Sequence, residues 1–154
     1  MQGVACVTGH IPPQARIADG CLLLQFDSNK AGFEGGQRAL HEFLEAEGVS
    51  DRGLYQTELA FEELVTNVIR HGFGDGDAGA HPIDVSVCVR GGDIVLTVED
   101  DGPPFNPLEA PHPPAPTSIE DARIGGLGLP LVRFAAKRIE YERIAERNRV
   151  ILGI

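Results

Sequence analysis

A proline-rich segment places the strongest constraint on how this chain of 154 residues can fold. Residues 102–118, GPPFNPLEAPHPPAPTS, contain seven prolines. Proline lacks a backbone N–H and clashes with the preceding helical turn, so this segment cannot form a regular element. Long loops inside compact domains are uncommon and usually functional. We therefore expect a lid or another functional loop between the regular elements on either side.

Regular secondary structure is predicted before and after this loop. In three segments apolar residues recur every three to four positions, which is the spacing of a buried helix face. Other segments alternate apolar and polar residues or form short apolar runs, as strands do. The predicted strands are 21–26, 83–89, 94–100, 140–144 and 149–154, and the predicted helices are 33–48, 51–72 and 124–139.

Signals at the ends of these segments indicate how they connect. The sequence DSN at 27–29 offers a side-chain cap for the first helix, and Asp51 is the expected cap of the second. RGGD at 90–93 is typical of a hairpin turn between antiparallel strands. We expect an α/β (α+β) two-layer sandwich, with helices on one face of a mixed, mostly antiparallel sheet.

Length and composition indicate one soluble domain, because 42% of the residues are apolar and 23% are charged. We expect the domain to span 20–154 and residues 1–19 to form an N-terminal tail or edge strand, with VACV at 4–7 as the candidate strand. The formal net charge of −10 argues against direct nucleic-acid binding, which normally requires a basic surface. It fits a basic protein partner or simple solubility.

The cysteines and the N-terminus bear on the compartment. Cys6, Cys21 and Cys88 are widely spaced and odd in number, so neither a zinc site nor a disulfide framework is expected. The N-terminus lacks a basic region followed by an apolar run. No segment approaches the roughly 18 apolar residues of a membrane span. We expect a cytoplasmic protein without membrane contact.

The second predicted helix carries a polar ridge beside its apolar face. In EELVTNVIRHG (62–72), Glu63, Asn67 and His71 are successive i, i+4 neighbours, with Arg70 beside them. On a helical wheel Asn67 lies about 100° and Glu63 about 140° from the centre of the apolar arc, near the rim of the buried face. The ridge is therefore either one wall of a pocket or a solvated charged edge.

Two further features favour the pocket. Asp100 has the same parity as the apolar residues of its strand, and a buried carboxylate needs a hydrogen bond or a counter-charge. Gly102, two residues later, would let a ligand approach the backbone closely. The alternative is that Asp100 only caps the turn after the strand. The glycines of IGGLGL (124–129) open a helix, whose free N–H groups favour an anion such as phosphate. The pattern is neither a Rossmann fingerprint nor a P-loop, because position 131 is leucine and no GK[ST] occurs.

In this order and spacing the segments resemble the GHKL ATPase superfamily, which has the Bergerat nucleotide-binding fold. Within it they are most similar to bacterial anti-sigma-factor serine-protein kinases and their histidine-kinase-like ATPase relatives. The likeness covers roughly residues 20–154. The segments that carry it are ELAFEELVTNVIRHG (58–72), VEDDGPPFNP (98–107), GGLGLPLV (125–132) and YERIAERNRV (141–150).

The resemblance implies ATP and Mg²⁺ as ligands and assigns a role to each motif residue. Asn67 would bind the Mg²⁺ that bridges the ATP phosphates, and Glu63 would be the general base for the attacking hydroxyl. Asp100 would accept a hydrogen bond from the adenine amino group, and Gly102 would line the adenine pocket. The implied lid and phosphate residues are Gly126, Gly128 and Arg123.

The resemblance also implies a function and its partners. The protein would phosphorylate a serine of an anti-sigma-factor antagonist and sequester a sigma factor, and relatives suggest a homodimer. Two departures from the family pattern favour a non-catalytic nucleotide- or protein-binding switch module instead. Pro104 replaces the second glycine of D-x-G-x-G, and Ile151 stands where a threonine near the adenine is expected. The sequence also leaves open a detached histidine-kinase ATPase domain and an α/β domain without a nucleotide site.

Overall fold

The computed structural model describes residues 14–71, 81–109 and 128–154. Within this part of the chain two strands are followed by two helices, two strands, one helix and two final strands. The strands are β1 (Gln14–Ala18), β2 (Cys21–Asp27), β3 (Pro82–Arg90), β4 (Asp93–Asp100), β5 (Arg138–Ile144) and β6 (Arg147–Gly153), and the helices are α1 (Lys30–Ala46), α2 (Asp51–His71) and α3 (Gly128–Ala135).

The six described strands form one sheet in the order β1-β2-β3-β4-β6-β5. Every neighbouring pair is antiparallel, so the described sheet is purely antiparallel where a mixed one was expected. The helices lie on one face, where Phe61 of α2 packs against Phe26 of β2 with ring centroids 6.1 Å apart. The predicted two-layer sandwich, with helices on one face of the sheet, is confirmed.

The first helix begins at the predicted cap, and its first turn lies close to the end of β2. The Asn29 side chain accepts a hydrogen bond from the Gly32 N–H at 2.8 Å, as the DSN signal predicts. A Cβ atom at Gly32 would lie 2.3 Å from the Asp27 carbonyl oxygen. Glycine is therefore required there for α1 to approach the end of β2.

The second helix holds the polar ridge in place. Asp51 is its first residue, and the Ser50 hydroxyl accepts from the Gly53 N–H at 3.3 Å. Ser50, rather than the expected Asp51, therefore caps the helix, because the cap residue lies just outside the first helical turn. Buried Phe61 and Val65 fix the rotation of α2 against the sheet.

The third helix is shorter than the periodicity predicts. Residues 124–127 of the predicted 124–139 segment lie outside the described residues, and α3 ends at Ala135. The prediction of helix up to 139 is wrong, because the Lys137 N–H donates to the Gly153 carbonyl at 2.7 Å and the chain joins the sheet as β5. Apolar spacing continues past Ala135, but long-range strand pairing ends the helix.

The structure corrects the prediction for two of the three cysteines. Cys21 of β2 and Cys88 of β3 are directly opposite in the antiparallel pair and form a disulfide. Their Cα atoms are 4.3 Å apart. Sequence spacing could not show this contact, because it depends on strand register. Cys6 lies outside the described residues, as does the VACV segment.

None of the described helices is long and apolar enough to cross a membrane.

Candidate functional site

The C-terminal half of α2 and the end of β4 meet at a small cavity. Its volume is about 20 Å³. Most of its wall is apolar, and the polar side chains on it come from α2, β4 and β6. The lining residues are Leu64, Asn67, Val68, Val98, Asp100, Phe105, Pro107, Asn148 and Val150. Two of the residues singled out in the sequence, Asn67 and Asp100, are thus brought together.

Asp100 lies on the apolar face of β4, as its parity predicts, and is only 6% exposed. Its Oδ1 atom accepts from the Gly102 N–H at 2.8 Å and from the Asn148 Nδ2 at 3.0 Å. These two bonds offset the cost of burying the carboxylate. Among the described residues nothing donates to Oδ2, which leaves that oxygen able to accept from a ligand.

Asn67 has an unsatisfied polar atom at the same cavity. Its Nδ2 is buried, and no described residue accepts a hydrogen bond from it. A buried unpaired donor costs about 1–3 kcal/mol. Such groups are rare in folded proteins, and a catalytic role or a bound ion or water is among their explanations. The polar ridge of α2 therefore forms part of a pocket wall at Asn67.

Glu63 lies one helical turn before Asn67 on α2 but does not line the small cavity. Partial burial raises the pKa of Glu63 above its usual value, and the neighbouring Glu62 carboxylate raises the pKa further. Arg70 opposes both effects. Glu62 itself is exposed. Glu63 is thus a partly buried carboxylate whose affinity for protons exceeds that of an ordinary surface glutamate.

Of the remaining predicted site residues, some lie within the described part of the chain and others lie outside it. Gly102 is buried beside Asp100, and its carbonyl accepts from Arg143 at 3.1 Å. Gly128 is the first residue of α3. Arg123 and Gly126 lie outside the described residues, as does the side chain of His71.

Sequence reasoning missed Asn148 and considered only Ile151 on the final strand. Asn148 pairs with Asp100 across β4 and β6, whereas Ile151 pairs with Thr97. Ile151 has the opposite parity to Asn148 and does not line the cavity, so it does not take the position expected for a threonine near the adenine. The signal that was missed is the alternation along β6, in which every second residue, Asn148, Val150 and Leu152, faces the buried side.

The segment after β4 covers the cavity. Phe105 and Pro107 line it, and the Arg133 guanidinium of α3 donates to the carbonyls of Pro107 at 3.1 Å and Leu108 at 2.6 Å. Pockets for drug-sized ligands measure about 300–1,000 Å³, far more than this cavity. The cavity in this structure is therefore too small to hold a ligand of that size.

A larger groove of about 730 Å³ lies at the other ends of α2 and β4. Its walls include Gly53, Ile94 and Phe134, and it contains none of the predicted site residues. The smaller cavity is the better candidate in spite of its size. Buried polar groups converge on it from three elements, which is the usual character of a binding site.

Comparison with known proteins gives matches over most of the chain. The histidine kinase-like ATPase domain family matches residues 28–154. A serine/threonine-protein kinase of Bordetella bronchiseptica, BtrW, is 30% identical over 96 residues, which is 61% of this chain and 65% of that protein. The anti-sigma F factor of Clostridium novyi is 32% identical over 89 residues, 58% of this chain and 60% of that protein. The matched part thus spans less than two thirds of each relative.

Proposed function

Because the chain belongs to the histidine kinase-like ATPase family, we propose that the cavity between α2 and β4 is an ATP site from which phosphate is transferred to a serine of a partner protein. The family resemblance predicted from the motifs is confirmed. ATP binding and kinase or ATPase chemistry follow from the family. Serine as the acceptor is the finer proposal, supported by the name of the Bordetella relative.

One observation carries the proposal. Asn67 and Asp100 come from separate elements and line the same cavity, and each has a polar atom that no described residue pairs. Two such polar atoms on a mostly apolar wall suit a ligand with both apolar and polar edges. Adenine is such a ligand. Asp100 would accept from its amino group, while buried Gly102 would allow the base close to the backbone.

Asn67 fits the proposed magnesium site. No cluster of three or more His, Cys, Asp or Glu side chains among the described residues could hold a metal ion. Mg²⁺ bound to nucleotide phosphates keeps several waters and takes only one or two protein oxygens, and the Asn67 amide oxygen would supply one of them. When bound, the ion would neutralise negative charge on the phosphates. Arg123, Gly126 and Gly128 remain the predicted lid and phosphate residues.

Glu63 is the proposed general base. Phosphoryl transfer depends mostly on positioning and charge stabilisation, so one carboxylate near the acceptor hydroxyl is enough. The raised pKa of Glu63 moves it toward the operating pH, which favours a base. Its place one turn from Asn67 would bring the acceptor hydroxyl beside the phosphates.

The proposed partners are a sigma factor, which the protein would sequester, and the anti-sigma-factor antagonist whose serine it would phosphorylate. The name of the Clostridium relative, anti-sigma F factor, supports this setting. A cytoplasmic location and a homodimer are part of the same proposal. The net charge of −10 would favour a partner with a basic surface.

A phosphotransfer assay tests the proposal. The purified protein is incubated at pH 8 with Mg²⁺, γ-labelled ATP and antagonist proteins from the same cell. We expect label on a serine of one antagonist. Glu63→Gln should keep ATP binding and lower transfer about 10²- to 10⁴-fold, the usual contribution of a general base. Glu62→Gln is the matched control, because Glu62 is exposed, and should transfer normally. Normal transfer by Glu63→Gln would remove its assigned role.

A second candidate function is a switch module that does not catalyse transfer. The closed state of the cavity favours it, because Phe105 and Pro107 occupy one wall and leave only about 20 Å³. Titration with labelled ATP and Mg²⁺ separates the two functions. Binding without transfer to any antagonist would support a nucleotide-binding module, and no binding at millimolar ATP would support a module that recognises only protein.

A further inference from the structure

Asn148 on β6 is the centre of a hydrogen-bond network around Asp100. It is 4% exposed and pairs with Asp100 at the end of β4 on one side and with Arg143 of β5 on the other. Its Oδ1 atom accepts from the Phe105 N–H at 3.3 Å, the Tyr141 hydroxyl at 2.9 Å and the Arg143 guanidinium at 3.0 Å. All three donors reach the same end of the amide.

The other end of the amide faces only acceptors. The Nδ2 atom donates to Asp100 Oδ1 at 3.0 Å, to the Gly102 carbonyl at 3.4 Å and to the Pro103 carbonyl at 2.9 Å. A backbone N–H and a guanidinium cannot accept, and carbonyls and a carboxylate cannot donate. The amide orientation is therefore fixed by chemistry, and its reversal would break bonds at both ends.

This arrangement also fixes the Asp100 carboxylate. Oδ1 of Asp100 is held by the Gly102 N–H and by Asn148, so the acid presents Oδ2 as its available acceptor. The same amide ties Gly102, Pro103 and Phe105 to β6. Asn148 thus positions both the recognition oxygen and the start of the covering segment.

We infer that Asn148 is a positioning residue that sets the preference of this site for adenine over guanine nucleotides. The inference rests on the proposed function, in which Asp100 receives the amino group of the base. Adenine presents an exocyclic amine where guanine presents a carbonyl oxygen. A carboxylate held as a fixed acceptor pairs with the amine and repels the carbonyl. A carboxylate free to rotate would discriminate less, because it could turn away from the carbonyl.

The β5–β6 turn supports this network through Arg143. Arg143 donates to the Gly102 carbonyl at 3.1 Å and to the Glu146 carboxylate at 3.2 Å. Ala145 and Glu146 both have positive φ, at 49° and 63°. Hairpin turns of this kind usually carry asparagine or glycine, so the backbone conformation of these two residues is less favourable than it would be for those residue types. Such backbone is retained where the surrounding structure requires it, and here it places Arg143 against Gly102.

The test compares the dissociation constants for ATP and GTP, each with Mg²⁺, in the wild type and three variants. Asn148→Ala should weaken ATP binding and lower the ATP preference about tenfold, the usual effect of losing a hydrogen bond to a charged group. Tyr141→Phe removes one hydrogen-bond donor to Asn148 Oδ1 with little change in side-chain shape. It should lower the preference for ATP over GTP severalfold. Ile151→Thr is the matched control on the opposite face of β6 and should keep the wild-type ratio.

The outcomes separate this inference from the proposed function. If the wild type binds neither nucleotide at millimolar concentration, the proposed function is wrong and the inference falls with it. If the wild type prefers ATP and folded Asn148→Ala keeps the same ratio, only the inference is overturned. Equal binding of ATP and GTP by the wild type overturns it too. If circular dichroism shows that Asn148→Ala does not fold, the ratio in Tyr141→Phe decides, and an unchanged value contradicts the inference.

Discussion

Single side chains determine what the cavity can bind. Asp100 and Asn148 face each other across two strands, and each is almost fully buried. Burial of polar groups at this depth is tolerated because each makes hydrogen bonds. Asn67 lacks such a bond within the described residues, and Glu63 has a raised pKa. The side chains that lack a hydrogen-bond partner or have a raised pKa are therefore the ones expected to contact the ligand.

The pH dependence of transfer should report on Glu63. A general base must be unprotonated, so kcat/KM falls as the pH drops through the pKa of Glu63 in the free protein. Glu62→Gln removes a charge that raises this pKa, so the acidic limb of the profile should move to lower pH. Arg70→Gln removes a charge that lowers it, so the limb should move to higher pH. Shifts in the same direction, or none, would contradict the assignment of Glu63 as the base.

Parity made some of these residues predictable from sequence. The inward direction of Asp100 follows from the alternation of β4, and the structure confirms it. The same alternation on β6 points to Asn148, but the threonine of the family pattern favoured Ile151 instead. The hydrogen bonds of Asn148 could not be predicted, because they depend on the register of β4 and β6 and on the course of residues 102–105.

At the scale of elements, close contact of α1 with the sheet and with α2 supports the site. Gly36 is buried where α1 meets Phe26 and Phe61. An added Cβ would lie 2.9 Å from the Phe26 ring and 3.1 Å from the Phe61 ring. Both rings belong to the core that fixes the rotation of α2. The placement of Asn67 therefore depends on a glycine in another helix.

Gly36→Ala should lower the free energy of unfolding by about 1–3 kcal/mol, the range for overpacking a core. Gly35→Ala is the matched control in the same helix. It carries the same gain in helix propensity, about 1 kcal/mol, at a partly exposed position. Urea denaturation of both variants measures the difference. Equal stabilisation by the two substitutions would show that α1 does not require the close approach at Gly36.

Element boundaries were predicted less well than element types. The hairpin of β3 and β4 follows from alternation and from RGGD, and Gly91 and Gly92 both have the positive φ that such a turn needs. The end of α3 was missed, because local apolar spacing cannot show that Lys137 pairs with Gly153. Contacts distant in sequence decided the boundary.

At the scale of the whole molecule, the Cys21–Cys88 disulfide closes a loop with a sequence separation of 67. The loop contains both α1 and α2, so the bond restricts much of the unfolded chain. In the chain-entropy account a loop of this length contributes about 4 kcal/mol of stability. In a cytoplasm, thiol reductants would favour reduction of this disulfide.

The double substitution Cys21→Ser/Cys88→Ser should lower the free energy of unfolding by up to about 4 kcal/mol in oxidising buffer. Denaturation curves with and without dithiothreitol measure the effect. Reductant should destabilise the wild type and leave the double variant unchanged, which makes that variant the control for general effects of the reagent. If dithiothreitol changes neither the denaturation curve of the wild type nor the number of its cysteines that a thiol reagent titrates, the disulfide does not form.

The most direct test of the central claim is calorimetric titration with ATP and Mg²⁺. The claim is that Asn67 and Asp100 form one nucleotide site. The wild type should bind saturably, and Asn67→Ala and Asp100→Asn should each weaken binding about tenfold or more, as expected for lost bonds to charged groups. Asp101→Asn, an exposed neighbour, is the matched control and should bind normally. No binding by the wild type at millimolar ATP, or equal affinity in Asp100→Asn, would contradict the account.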